Sequence, residues 1–304
     1  MRRVWLASYP KSGNTWMRLL AAGLWLKDGE TLDINDLPGT RGIASARAPF
    51  EYHTLIDSSL LTHDEIDALR PAVHEAQARG DEEAESIAIT YFVKTHDAYT
   101  RLPGGAPLLA GRAGADGAIL IVRDPRGVAP SFANHNNSDI DKIIARMADP
   151  EGCMSGSTAK LDPQIRQRLL GWSAFNASWL DQDDLPILTV RYEDMIADTA
   201  SALSRVIAFV GLASEPDKIA RAVAAADFAE LVRQEAEVGF REAPRKMSTA
   251  RFFRRGEAFA WEEELSEEQI ERIESVHGAM MRRLGYALLS DVEKRASHPA
   301  ANPV

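Results

Sequence analysis

Residues 4–26, VWLASYPKSGNTWMRLLAAGLWL, restrict the fold more than any other part of this chain. The run RVWLAS (3–8) reads as a short strand buried on both faces. Pro10 stops it, and residues 14–27 are apolar almost all round, which suits a helix covered by its neighbours. Lys11, Ser12, Gly13, Asn14 and Thr15 lie between the two. A strand–loop–helix unit of this kind points the first helical N–H groups at one small volume, where they and the helix dipole attract an anion. Gly13 allows close backbone approach, Ser12, Asn14 and Thr15 offer short polar donors, and Lys11 adds a mobile full charge. The alternative is an ordinary capped helix beside a solvated lysine. A lysine set between a buried strand and a buried helix favours the anion. The order is not that of the nucleotide-triphosphatase loop GxxxxGK[ST], because Lys11 precedes Gly13 and nothing before it supplies the first glycine.

Three further runs read as buried parallel strands: IAITYFV (87–93), AILIVR (118–123) and PILTVRY (186–192). Helical patterns separate them, at 62–78, 138–149, 163–182, 199–211 and 215–225, and a last one at 266–284 opens on the capping box SEEQ. Pro71 is a candidate kink in the first of these. Alternating strands and helices imply an α/β fold with a parallel sheet covered on both faces. The length of 304 residues suits one large domain, expected over 1–290 and followed by a disordered tail at 291–304. Residues 28–61, 97–117 and 239–260 lack clear periodicity and are expected to be loops that shape a site.

The formal net charge of −10 argues against a nucleic-acid partner but leaves an anionic small ligand open, since local charge decides that. Cys153 is the sole cysteine, so no internal disulfide forms and a reducing, cytoplasmic setting is expected. The N-terminal apolar stretch is interrupted by Pro10, Lys11 and Asn14, which rejects a secretion signal, and no window reaches the ~20 apolar residues of a membrane span.

The stretch YPKSGNTW (9–16) resembles the 5′-phosphosulfate loop of the cytosolic-type sulfotransferases that use 3′-phosphoadenosine 5′-phosphosulfate (PAPS). Three further segments match that family in chain order. FVKTHDAY (92–99) lies at the end of a predicted strand, and Lys94-Thr95-His96 resembles the family's lysine–threonine–histidine element. The resemblance implies that His96 is the catalytic base, and a histidine with an ordinary pKa of about 6.5 can take a hydroxyl proton at neutral pH. Without that context His96 would read as a structural histidine, as His53, His63, His74 and His135 do. IVRDPRGVAPSF (121–132) resembles the family's 3′-phosphate element, with Arg123 and Ser131 at the family's spacing. A guanidinium fork and a hydroxyl suit a phosphate monoester. An ion pair with Asp124 or another carboxylate is the alternative for Arg123, and Asp124 and Arg126 are expected to hold the turn. ARFFRRGEAFAW (250–261) resembles the family's RKGxxGDW lid over the 3′-phosphate, with Arg254, Arg255 and Gly256 in the cationic part and Trp261 at the matching distance. Phe259 and Ala260 replace the family's glycine and aspartate. Arg245, Lys246 and Arg251 add to a dense cationic cluster in an acidic chain.

At the adenine end, Trp16 and Tyr192 match base-contacting positions and Phe228 is a stacking candidate, while core packing explains the first two equally well and is the favoured reading of Phe228. Ala226 stands where the family commonly has threonine. The resemblance thus implies a P-loop-like central parallel sheet flanked by helices on both faces in a single domain. It also implies sulfuryl transfer from PAPS to a hydroxyl or amine of a small-molecule acceptor, with 3′,5′-ADP as product and no metal. In that scheme Lys11 neutralises the leaving phosphate oxygen and Lys94 steadies the sulfuryl group. A small-molecule kinase with a divergent phosphate loop and a non-catalytic nucleotide-binding protein are the rival readings. Phe50, Tyr52, Phe132, Trp172 and Phe175 suggest a partly apolar acceptor pocket, although core packing accounts for most of them. The family's C-terminal dimerisation pattern is not evident after Trp261, so the oligomeric state stays open.

Overall fold

A computed structural model describes residues 2–83, 90–157, 161–213, 215–243 and 251–289. In chain order it begins with β1 (Arg3–Ser8), α1 (Asn14–Gly23), β2 (Thr40–Ile43), α2 (Arg47–Thr54), α3 (His63–Glu83) and β3 (Tyr91–Thr95). Then come β4 (Gly117–Val122), α4 (Pro125–Asn136), α5 (Ile140–Ala148), β5 (Cys153–Met154), β6 (Gln167–Arg168) and α6 (Gly171–Leu180). The chain continues through β7 (Ile187–Arg191), α7 (Tyr192–Ala197), α8 (Thr199–Val210), α9 (Pro216–Ala225) and α10 (Phe228–Val238), and closes with α11 (Trp261–Glu264) and α12 (Glu267–Arg283).

Five strands form one parallel sheet in the order β2-β3-β1-β4-β7, with β1 at its centre. All six residues of β1 are buried, as a strand with a neighbour on each edge and helices on each face requires. The pleat sorts its side chains: Trp5 and Ala7 join the core shared with α4, α5, α6 and α12, while Val4 and Leu6 join the core shared with α1, α8 and α9. Each fully buried aliphatic side chain contributes ~1.5–3 kcal/mol. Ala7 pairs with Thr95 and Ser8 with Ile121, so β1, β3 and β4 finish side by side. The loops that follow them therefore open on one edge, where open parallel sheets build their sites. Helix α12 carries the expected capping box between Ser266 and Gln269.

Several boundaries differ from the sequence reading. The second predicted strand, 87–93, is found at Tyr91–Thr95 and so ends two residues later, and positions 87–89 of that prediction fall outside the described residues, as do Arg245, Lys246 and the tail. The region 28–61 was expected to be irregular, yet it holds β2 and α2. The expected helix at 163–182 is shorter: Gln167–Arg168 pairs as a strand with Cys153–Met154, and α6 starts only at Gly171. Pro71 lies inside α3, which continues on both sides of it.

Candidate active site

The loop after β1 is held in an unusual backbone shape. Lys11 has φ 69° and Gly13 φ 103°, both in the left-handed region. A non-glycine residue held there costs on the order of 1–2 kcal/mol, so surrounding contacts must enforce Lys11's conformation. At Gly13 a Cβ would stand 2.7 Å from Tyr192 Cδ2. Asn14 ties the loop to its strand, donating from Nδ2 to Leu6 O (2.8 Å) and to Ser8 Oγ (3.2 Å). No side chain caps α1 and no acidic residue sits in its first turn, so its N-terminal dipole is uncompensated by the protein. Ser12 departs from expectation: its side chain is buried, its Oγ has no hydrogen-bond partner, and it does not line the cavity described below.

His96 follows directly on β3 and is buried. Its Nδ1 lies 2.7 Å from the Ser8 carbonyl oxygen, which can only accept, so Nδ1 carries the proton and Nε2 is the basic nitrogen. Burial, and secondarily the Lys94 charge, lower its pKa to about 3 and keep the ring neutral. The next residue is anchored: Asp97 takes a bidentate ion pair from Arg70, accepts from Arg168 N (2.9 Å), and offers its carbonyl to Trp179 Nε1 (3.0 Å). Ser8 and Asn14 thus link the loop after β1 to His96 across the carboxyl edge of the sheet.

Arg123 pairs with no carboxylate among the described residues. Nη1 donates to Lys11 O (3.2 Å), its Cζ stands 4.3 Å from the Tyr192 ring centroid, and Nε is buried without a partner. Asp124 instead caps α4 and pairs with Arg126, which reaches on to Glu274, so these two residues do hold the turn. Ser131 lies two turns along the same helix and faces the same cavity. Arg254 is gripped by both Glu264 oxygens at 2.8 Å, and Arg255 pairs with Glu263 at 3.1 Å. Gly256 packs flat on Phe228, where a Cβ would meet Cδ2 at 2.7 Å.

These groups share one cavity of about 520 Å³. Lys11, Gly13, Asn14, Thr15 and Trp16 enter it from the loop and α1, and Lys94 and His96 from the end of β3. Arg123, Ser131, Tyr192, Phe228, Arg254, Arg255 and Gly256 line it as well. Lys11 has no ion-pair partner among the described residues, and its Nζ stands 4.2 Å from the Phe252 ring centroid. Burial and then the charges of Lys94, Arg123 and Arg254 lower its pKa to about 7. Trp16 Nε1 donates to Ala226 O (3.0 Å), and Ala226 itself does not line the cavity.

Sequence reasoning missed part of this wall. Glu242 pairs with Lys94 (3.4 Å) and Arg18 (2.6 Å), and although burial opposes it, those two charges hold its pKa below the usual carboxylate range. His135, expected to be structural, faces the cavity from the last turn of α4. Ile43, Met154, Gln164 and Phe252 supply further wall. The aromatic residues expected around an acceptor do not: Phe50, Phe132, Trp172 and Phe175 are core, and Tyr52 is exposed on α2. Their chain neighbourhood carried no sign of which face each would take.

A strand-ending loop, a buried histidine and a set of cations thus converge on one cavity at the carboxyl edge of a parallel sheet, an arrangement suited to an anionic ligand. A sulfotransferase domain family model matches residues 1–285, and the chain belongs to this family and is a PAPS-dependent sulfotransferase. Cytosolic sulfotransferase 17 of Arabidopsis thaliana is 23% identical over 292 residues, covering 92% of this chain and 75% of that protein. Luciferin sulfotransferase of Photinus pyralis is 26% identical over 221 residues, 70% of this chain and 52% of that protein. Among solved structures, a mouse sulfotransferase complexed with PAP has TM-score 0.56 at 18% identity, covering 98% of this chain and 89% of that one. Retinol dehydratase in complex with androsterone and PAP has TM-score 0.54 at 17% identity, covering 95% and 84%. Among the described residues, no helix is long and apolar enough to cross a membrane.

Proposed function

We propose that this chain binds PAPS along the cavity from Trp16 to His96 and sulfates a hydroxyl or amine of a small-molecule acceptor with His96 as base. The observation that carries this is the convergence of an unpaired Lys11, an uncapped α1 and a buried neutral His96 on one cavity. The residues fit the nucleotide: Arg123 Nε is a buried donor without a partner, and Gly13 and Gly256, both at positive φ, let the Tyr192 and Phe228 rings close on the backbone beside the cavity. PAPS supplies an activated sulfuryl group and leaves as 3′,5′-ADP.

Lys11 and the N–H groups at the start of α1 hold the 5′-phosphate and offset the charge that grows on its leaving oxygen. Arg123, Ser131 and the segment Arg254–Gly256 hold the 3′-phosphate, which requires Arg254 and Arg255 to exchange carboxylate for phosphate oxygens or share both. Trp16, Tyr192 and Phe228 flank the base. Lys94 steadies the sulfuryl group, and Ser8 O fixes the His96 tautomer so that Nε2 receives the acceptor proton. The low pKa of His96 has Lys94 as its second cause, and negative charge placed against Lys94 counters it. The apolar side chains Ile43, Met154 and Phe252 beside Gln164 suit an acceptor with an apolar body.

The test is a thermal-shift comparison of 3′,5′-ADP with ATP–magnesium, followed by transfer of labelled sulfate from PAPS across a panel of phenols, alcohols and amines. Stabilisation by 3′,5′-ADP and labelling of an acceptor are expected. Stabilisation by ATP–magnesium alone would replace this reading with the kinase one.

A further inference from the structure

His135 is the one imidazole besides His96 that faces the cavity among the described residues. It sits in the last turn of α4, one turn beyond Ser131, so the helix that presents Ser131 also presents His135. Its Nδ1 is buried and has no hydrogen-bond partner. A buried acceptor without a partner is better tolerated than a buried donor without one, so the proton belongs on Nε2, the nitrogen open to the cavity. The ring stands edge-on to Phe252, with centroids 6.1 Å apart. The same Phe252 ring carries Lys11 Nζ at 4.2 Å from its centroid. His135 is thus on the Lys11 side of the cavity. Burial, then the Lys11 and Lys94 charges, lower its pKa to about 3, so it stays neutral and keeps a single N–H to offer. Nothing among the described residues takes that N–H, although the two lysines around it are the groups read above as attending the leaving oxygen and the sulfuryl group.

Resting on the PAPS reading, we infer that His135 Nε2–H donates a hydrogen bond to a sulfuryl oxygen of the donor, making it a second sulfuryl contact beside Lys94. The inference separates His135 from every residue that holds the nucleotide. Its partner exists in PAPS and is absent from 3′,5′-ADP.

The experiment is calorimetric titration of PAPS and of 3′,5′-ADP into wild type, His135→Phe and His135→Gln. A lost hydrogen bond to a charged group predicts that His135→Phe weakens PAPS roughly tenfold or more and leaves 3′,5′-ADP within about twofold. His135→Gln, which retains a side-chain N–H, recovers part of the loss. Equal affinities for PAPS in wild type and His135→Phe overturn the inference. Equal weakening of both nucleotides also overturns it, since that pattern marks a packing role, and so does a change confined to acceptor KM. His135→Leu repeats the comparison if His135→Phe does not fold. Failure of the wild type to bind 3′,5′-ADP would instead sink the PAPS reading itself, so the two failures are distinguishable.

Discussion

At the scale of single residues, the proposed chemistry rests on two groups, His96 and Lys11, whose pKa values burial lowers. His96 is neutral with its basic nitrogen free, and His96→Ala is expected to lower turnover by about 10²–10⁴-fold while leaving 3′,5′-ADP affinity within a fewfold. Steady-state assays and calorimetry check both halves. Lys11 has a pKa of about 7 in the free chain, against about 10.4 for an unperturbed lysine. Between those values the folded free chain holds fewer protons than the unfolded one, so this residue makes stability rise with pH across the window. On the proposed reading, phosphate oxygens beside Lys11 would restore its proton. Binding of 3′,5′-ADP at pH 8–9 therefore takes up close to one proton, and affinity falls as pH rises from 7 towards 10. Titration in buffers of different ionisation enthalpy measures this, and Lys11→Met should abolish it. That Lys11, Gly13, His96 and Arg123 would line one cavity was legible in the sequence because each belongs to a short segment that resembles the sulfotransferase family. His135 was not, because nothing in SFANHNNS says that the last turn of α4 reaches the cavity.

At the scale of elements, the loop from Ser8 to Asn14 is the piece whose shape matters most. Gly13→Ala must hold φ 103° and place its Cβ 2.7 Å from Tyr192. The backbone strain alone costs on the order of 1–2 kcal/mol. A lowered melting temperature and at least tenfold weaker 3′,5′-ADP binding are expected. Gly80→Ala in α3, with open space around it and ordinary φ, should be neutral or slightly stabilising by comparison. Strands such as Arg3–Ser8 and Gly117–Val122 were legible because burial on both faces demands an unbroken apolar run. Thr40–Ile43 was not: TRGI is a half-exposed edge strand of four residues, and pairing with β3 rather than hydrophobicity makes it a strand. The two-residue ladder of β5 with β6 is shorter still, and no pattern signals it.

At the scale of the whole molecule, distant segments converge behind the base. Arg70 of α3, Arg168 of β6 and Trp179 of α6 all close on Asp97, one residue from His96. Asp97→Ala would leave the fully buried Arg70 charge without its main partner, a loss of about 3–5 kcal/mol. In a chain of this size that lowers the melting temperature on the order of 10 °C, readable by calorimetry. An unchanged melting temperature would show that the clamp does not stabilise the fold. The acidic net charge coexists with a cationic cavity because Lys11, Lys94, Arg123, Arg254 and Arg255 are gathered from four separate segments.

The central claim is that this cavity grips a nucleotide at both its 5′ and 3′ phosphates. Calorimetry of 3′,5′-ADP against 5′-AMP, on wild type and Arg123→Ala, tests it most directly. The account predicts that 3′,5′-ADP binds wild type at least ~100-fold tighter, as expected for a guanidinium fork on a phosphate, and that most of this preference disappears in Arg123→Ala. Equal binding of the two nucleotides by the wild type would contradict it.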